Sequence, residues 1–410
     1  MSGYLRQRAP GHWEISYELA ADPLTSKRRR ATLTVHGTRK DAERELRRRL
    51  VAVEAGLHVD PHRITVGEWL ATWLAAARQE VAPKTFERYA EFANHFLVPA
   101  LGSLQLGKLA PVHIQDVYNG WATGGRRDGK AGGLAPRTRR HIHRVLSAAL
   151  ARAVEQQLIA RNPCDSFKRR LPPVERGEMT TLSIDQAQDL LAAIRHTRVY
   201  WPVLIALATG MRRGEILALR WRNFAASSSI IRIVESLEET KAGLRFKPPK
   251  SGRPRAVTLP SFATEELNRL KREQAEELLA IGIRQTGGTL LCARADGEPM
   301  QPRSLTHEFT RLVGRIDELP RVRFHDLRHS HATQLLAGGV HPKIAQERLG
   351  HSTITITLDL YSHVTETMQQ DAALQLDASY RASGLGLGGS ERGRPSVGKP
   401  VGKGGILARA

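Results

Sequence analysis

The chain has 410 residues, and its 62 Lys plus Arg against 41 Asp plus Glu give a formal charge of +21. The length exceeds what one core usually organises, so two or three domains are expected, and the charge excess points to a polyanionic partner, nucleic acid first. Two distant cysteines, Cys164 and Cys292, exclude a disulfide framework or a CxxC site; the start, MSGYLRQRAPGHW, has no apolar segment of signal-peptide type, and the longest apolar run, WPVLIALATGM, is about half the length of a membrane span, so a cytoplasmic protein is expected, nucleoid-associated when bound to DNA.

Residues 1–60 read as a small module. A short strand at 4–8 is followed by the Pro10-Gly11 turn and by HWEISYEL, where Trp13, Ile15, Tyr17 and Leu19 alternate with polar residues. ATLTVHG supplies a third alternating run, the period-two signature of a half-buried strand. Thr38 and Asp41 have capping-box spacing, and Ala42, Leu46, Leu50 and Val53 follow at helical intervals. Three strands and a helix are predicted.

Residues 61–170 read as all-helical. Thr65 opens a helix through Trp69, Leu70, Trp73 and Leu74; Pro83 starts another through Phe86, Tyr89 and Phe92. Between 137 and 159, Ile142, Val145, Leu146, Ala149, Ala153 and Val154 form one apolar stripe, and the first turns carry Arg137, Arg139, Arg140 and Arg144. The segment TGGRRDGKAGG at 123–133 is predicted to be a loop. Residues 171–180 read as a linker, 181–380 as a larger, mainly helical α/β domain, and 381–410 as a disordered, basic, Gly-rich tail that cannot bury enough apolar surface to offset its own ordering. Basic clusters at Lys27, Arg28, Arg29 and Arg30, and at Arg137, Arg139, Arg140 and Arg144, are the expected DNA-binding residues.

Four separated clusters in the large domain carry chemistry. In ATGMRRGEILALRW, Arg212 stands at a helix start, a place suited to an anion, with Glu215 one turn on to orient an arginine. FKPPKSGRPRAVTLP reads as a hairpin with Lys250 beside an SGRP tip; Lys247 is the competing lysine. In RFHDLRHSHATQLLAGGV, His325 and Arg328 share a helix face, and Gly338-Gly339 ends the helix. His325 and His329 have the spacing of a helical zinc pair, but no third ligand accompanies them and Arg328 between them would repel a cation. In RLGHSTITITLDLYSHV, Gly350 breaks a helix, His351 follows, and Tyr361 is flanked by Ser362 and His363 rather than by apolar residues. Taken singly, each cluster also fits an ordinary surface helix, a solvated lysine or a core aromatic.

Taken in order, Arg212, Lys250, His325-x-x-Arg328, Leu349-Gly350-His351 and Tyr361 resemble the tyrosine recombinase (phage integrase) family in every box, over essentially residues 1–375. The resemblance implies a three-domain integrase of a phage or integrative element: an arm-type DNA-binding module, a helical core-binding domain and a catalytic domain. It implies a tetramer on double-stranded attachment sites, admits a directionality factor and a DNA-bending host protein, and calls for no cofactor and no metal. Arg212 and Arg328 would clamp the scissile phosphate, His351 would add a donor, His325 would act as base, Lys250 as acid and Tyr361 as nucleophile, leaving a 3′-phosphotyrosine. A type IB topoisomerase and a catalytically silent DNA-binding regulator are the rival readings. The arm module speaks against the first and the complete residue set against the second.

Overall fold

The computed structural model describes residues 3–19, 29–54, 64–167, 173–174, 179–358 and 365–382. The chain divides into two compact units, Met1–Glu178 with Glu239–Arg245, and Met179–Glu238 with Phe246–Ala410.

The first unit opens on the predicted module. Strands β1 (Gly3–Ala9), β2 (His12–Leu19) and β3 (Arg29–His36) form an antiparallel sheet in that order, with Ile15 opposite Leu5 on one side and Leu33 on the other. Period-two alternation therefore puts Leu5, Trp13, Ile15, Tyr17, Leu33 and Val35 on one face, which packs on Ala42, Leu46 and Leu50 of helix α1 (Arg39–Glu54). Thr38 and Asp41 close the expected reciprocal cap, Asp41 accepting from the Thr38 amide at 3.0 Å and Thr38 Oγ1 accepting from the Asp41 amide at 3.3 Å.

The rest of this unit is helical: α2 (Val66–Glu80), α3 (Pro83–Phe92), α4 (Val98–Leu101), α5 (Pro111–Thr123) and α6 (Pro136–Glu155). Thr65 and Glu68 form a full capping box that fixes where α2 begins. A π-helical turn, Ala93–Leu97, joins α3 to α4 just ahead of Pro99. Proline has no N–H for the carbonyl four residues back, and its ring crowds that carbonyl; the widened turn gives it room. Ile142, Val145, Leu146, Ala149 and Ala153 face the helical core, and Trp69 donates its indole N–H to the Ala149 carbonyl at 2.9 Å.

The second unit comprises α7 (Ile184–Ile194), α8 (Tyr200–Thr209), α9 (Arg213–Leu217), β4 (Phe224–Ala225), β5 (Ile230–Ile233), β6 (Ser236–Thr240), β7 (Gly243–Lys247), β8 (Arg255–Thr258), α10 (Ser261–Ala280), α11 (Pro302–Val313), α12 (Asp326–Ala337), α13 (Pro342–Leu349), α14 (Ile354–Leu358) and α15 (Thr365–Ala382); the tip of the β6–β7 hairpin is counted with the first unit. It is mainly helical, as expected, with β4, β5 and β8 in one antiparallel sheet and β6 and β7 in another. Its core gathers Ile231, Ile233 and Val257 from the sheet with Leu204, Ile216, Leu267, Phe309 and Leu327 from the helices.

One expectation needs correction. The stretch 246–259 is not a hairpin around SGRP: β7 pairs with β6, and β8 pairs with β5, Val257 opposite Ile231. The alternation of Val257 and Leu259 marked a strand correctly but could not name its partner. The SGRP turn is a crossing between two sheets, with Lys250 at its start. The expected linker lies partly, and the expected tail after Ala382 wholly, outside the described residues. Among the described residues, no helix is long and apolar enough to cross a membrane.

Candidate active site

The site is built where two helices end. Helix α8 terminates at Gly210, whose φ of +65° suits glycine. Glycine is needed there for space as well, since a Cβ would lie 2.5 Å from Leu349 Cδ2 and 2.6 Å from His331 Cδ2. Helix α13 terminates at Gly350, also left-handed at +67°, where a Cβ would meet the Arg255 guanidinium at 3.0 Å. Both ends present carbonyl groups without helical partners and carry the negative end of the helix dipole, an environment that favours cations.

Arginines occupy it. Arg328, in the first turn of α12 and buried, donates from one terminal nitrogen to the Gly210 carbonyl and from the other to the Leu349 carbonyl, both at 2.7 Å. Arg212, at the N-cap of α9, donates to the adjacent Gly350 carbonyl at 3.1 Å and to Glu215 Oε1 at 3.0 Å. The two guanidiniums are thus tied to consecutive carbonyls of one helix end, and His351 is the next residue. Each spends two N–H groups on anchors and has three more in its five-donor fork. Burial, ahead of repulsion from Arg212, pushes Arg328 down to about 9.

Glu215 is the counter-charge. Its buried carboxylate accepts from the Arg212 amide at 3.0 Å and from the Arg255 fork at 3.1 and 2.6 Å. Hydrogen bonds and charge from Arg255 and Arg212 outweigh burial and hold its carboxyl below the usual range. Arg255 lies on β8 and also donates to the Arg348 carbonyl at 3.0 Å.

His325 caps α12 rather than lying within it, and its ring meets that of His329 edge-on with centroids 5.0 Å apart. It keeps a solvent-exposed edge, while desolvation of the rest of the ring, then the charges of His329 and Arg328, push it down to about 4. His351 shares a 2.9 Å hydrogen bond between Nδ1 and the buried Thr357 hydroxyl; burial, then Arg328 and Arg212, push it down to about 3. Lys250 is exposed in the turn after β7, whereas Lys247 is half-buried in an ion pair with Glu238. Among the described residues, no group of three His, Cys, Asp or Glu side chains is arranged to hold a metal ion.

Arg212, Arg328, His351, His325 and Glu215 are therefore brought together, through shared hydrogen bonds at the α13 end and through the charge each arginine exerts on the two histidines. Tyr361 lies outside the described residues, between α14 and α15. Of the expected DNA-binding residues, Lys27 and Arg28 also lie outside them, as does the side chain of Arg29. Arg30 reaches Glu18 at 3.6 Å and stands over the Tyr4 ring. Arg137, Arg139, Arg140 and Arg144 cluster on the first turns of α6, in the first unit, with the Nε atoms of Arg139 and Arg140 buried and without hydrogen-bond partners.

The sequence reading missed Arg255, His331 and Arg348. His331 Nδ1 lies 2.7 Å from the Leu207 carbonyl, which can only accept, so Nδ1 carries the proton and Nε2 accepts from Arg348 Nε at 3.1 Å. Burial, then Arg348, push this ring down to about 4. Its folded value is below the unfolded one, so the unfolded chain takes up a proton first as pH falls. The stability this ring supplies is complete above about 6.5 and is lost as pH drops toward 4, at no more than about 1.4 kcal/mol per pH unit. Denaturant melts between pH 7 and 4.5 should show a shallower decline for His331→Gln than for the wild type; equal slopes would remove His331 from the effect.

Residues 180–368 match the phage integrase family, and residues 65–122 match the N-terminal SAM-like domain of phage integrases. The chain is 30% identical to the tyrosine recombinase XerC of Mycobacterium sp. (strain KMS) over 244 residues, 57% of this chain and 74% of the relative. It is 25% identical to the ICEBs1 integrase of Bacillus subtilis (strain 168) over 373 residues, 90% of this chain and 97% of the relative. A similar fold is seen in the Tn1549 transposon integrase in complex with a circular intermediate DNA, at a TM-score of 0.64 and 22% identity, covering 76% of this chain and 99% of that one. With the family's boxes in order and its arginine and histidine positions gathered at one helix end, the chain belongs to the phage integrase family of tyrosine recombinases.

Proposed function

We propose that this recombinase integrates and excises a phage or mobile element by cutting and rejoining duplex DNA through a covalent 3′-phosphotyrosine at Tyr361. The observation that carries the reading is the row formed by Arg328, Arg212 and His351 along the Leu349–Gly350 carbonyls. Two guanidiniums held side by side repel each other, and one buried carboxylate offsets only part of that charge. A phosphodiester, which gains negative charge as it is attacked, fits the remainder.

In this reading the anchored forks of Arg212 and Arg328 donate to the non-bridging oxygens. The Nδ1–Thr357 hydrogen bond fixes the His351 ring, and in the tautomer with its proton on Nε2 the ring donates to the phosphate. Tyr361 Oη forms the new bond to phosphorus as its proton passes to His325, which is unprotonated near neutrality because its ring is held at about 4. The bond from phosphorus to the deoxyribose 5′ oxygen breaks, and Lys250 supplies a proton to that oxygen. One phosphoester replaces another, so the step is reversible and the 5′ hydroxyl of a second strand can reverse it. Lys250 suits the acid better than Lys247, which is already paired with Glu238. Residues 1–60 would bind arm sites and 61–170 the core sites, with four protomers in synapsis; a directionality factor and a DNA-bending host protein are compatible partners.

The test is to mix the protein with sheared source-genome DNA in EDTA, denature it, and sequence what stays covalently attached. Adducts at a few paired, staggered positions are expected. Scattered adducts would point to a topoisomerase, and none at all from DNA-bound protein would leave a silent binding module.

A further inference from the structure

We infer that Arg348, with His331 as its partner, is a positioning residue for strand cleavage: it staples the C-terminal end of α8 to that of α13 and so sets the spacing of Arg328, Arg212 and His351. This rests on the phosphate-site reading above.

The guanidinium of Arg348 is used on three sides. One terminal nitrogen donates to the Thr258 carbonyl at the end of β8, the other to the Ala208 carbonyl near the end of α8, both at 2.9 Å. Its Nε donates to His331 on α12, and its own carbonyl accepts from Arg255, the residue that holds Glu215. Ala208 stands two residues before Gly210, whose carbonyl anchors Arg328. Arg348 stands immediately before Leu349 and Gly350, whose carbonyls anchor Arg328 and Arg212. The same residue therefore ties together both strips of backbone on which the clamp is hung.

The chemistry selects these residue types. Three acceptors in three directions suit a planar fork, and a lysine ammonium on a single atom cannot reach all of them. The acceptor at Nε must have a lone pair, which His331 supplies only while neutral and only in the tautomer that the Leu207 carbonyl enforces. The charged groups that act on this ring are Arg348 from α13 and Arg328 from α12, both cationic and both opposing its protonation, while the Leu207 carbonyl acts the other way and is outweighed by burial and Arg348.

The experiment compares single-turnover cleavage of two duplexes, one with a normal scissile phosphate and one with a neutral methylphosphonate there. The methylphosphonate lacks the charge that the arginine clamp stabilises, so a misplaced clamp should matter less to it. For Arg348→Lys, cleavage of the phosphate duplex should fall about 100-fold with DNA affinity unchanged, the loss expected from a misplacement of about 1 Å, while the methylphosphonate loss should stay under about tenfold. His331→Leu should behave like Arg348→Lys, and His331→Gln, which restores an acceptor, should recover most of the phosphate rate. Equal losses on both duplexes, or a wild-type rate for Arg348→Lys, would overturn the inference. Should Arg348→Lys not fold, the His331 pair carries the same comparison. Failure of the wild-type protein to form any adduct would instead sink the cleavage reading itself.

Discussion

Replacing Tyr361 by Phe should reduce covalent DNA adducts to background while leaving DNA affinity within about twofold of the wild type. The change removes one oxygen and nothing else of consequence in volume. A phenol with a free pKa of about 10 is neutral near pH 7 and contributes no charge to phosphate binding, so the bound state has little to lose. The covalent step has everything to lose, because without the oxygen no bond to phosphorus can form. A labelled duplex run on a denaturing gel in EDTA, beside a gel shift of the same protein, reads both quantities. Residual adduct above background from Tyr361→Phe would mean that another hydroxyl attacks, and Ser362 would be the first to examine. Loss of DNA binding together with cleavage would mean that Tyr361 holds the fold or the DNA rather than doing chemistry. Tyr361 follows α14 and precedes α15 in the chain, outside the described residues.

What the sequence disclosed and what it withheld divide along a physical line. Local hydrogen-bond chemistry was legible. Thr38 with Asp41 announces a helix start because a cap and its partner are three residues apart wherever they occur. Arg212 with Glu215 is the same kind of signal, and the two ends at Gly210 and Gly350 follow from glycine's ease at positive φ. Strand pairing was not legible in the same way. Val257 and Leu259 alternate as a strand should, but β8 pairs with β5 rather than with the strand next to it in sequence, since alternation names a face and not a neighbour. The arginines beyond the family's boxes were hidden for another reason. Arg348 acts largely through backbone carbonyls far away in the chain, such as that of Ala208, and Arg255 acts on the Arg348 carbonyl and on the Glu215 side chain forty residues before it. A carbonyl has no letter in the sequence, so an arginine that binds one looks like any surface arginine. Two features offer a retrospective hint: a histidine at 331 in a helix otherwise set to pack inward, and an arginine directly before Leu349-Gly350-His351.

Arg328→Ala should slow strand cleavage by roughly 10³-fold or more, and Arg328→Lys by at least about 100-fold. The guanidinium is buried at the meeting of α8, α12 and α13, and its two anchoring bonds at 2.7 Å leave it no freedom to move toward substrate. It must already stand where charge will develop, which is the condition under which fixed donors act most strongly. Alanine removes the charge, the donors and the tie between Gly210 and Leu349. Lysine keeps a charge but cannot hold two carbonyls and a phosphate oxygen from one nitrogen. Stability is the competing explanation. Arg328→Ala leaves two buried carbonyls without partners, at about 1–3 kcal/mol each, yet it also relieves repulsion from Arg212 and Arg255. Two such carbonyls cost about 2–6 kcal/mol, comparable to the roughly 4 kcal/mol of a 10³-fold rate loss, so thermal melting must separate the two effects. A folded Arg328→Ala protein that binds DNA and cleaves within tenfold of wild type would show that the clamp is not where charge develops. A folded protein that binds DNA and fails to cleave would place the developing charge beside Arg328, next to the Gly210 and Leu349 carbonyls that hold it.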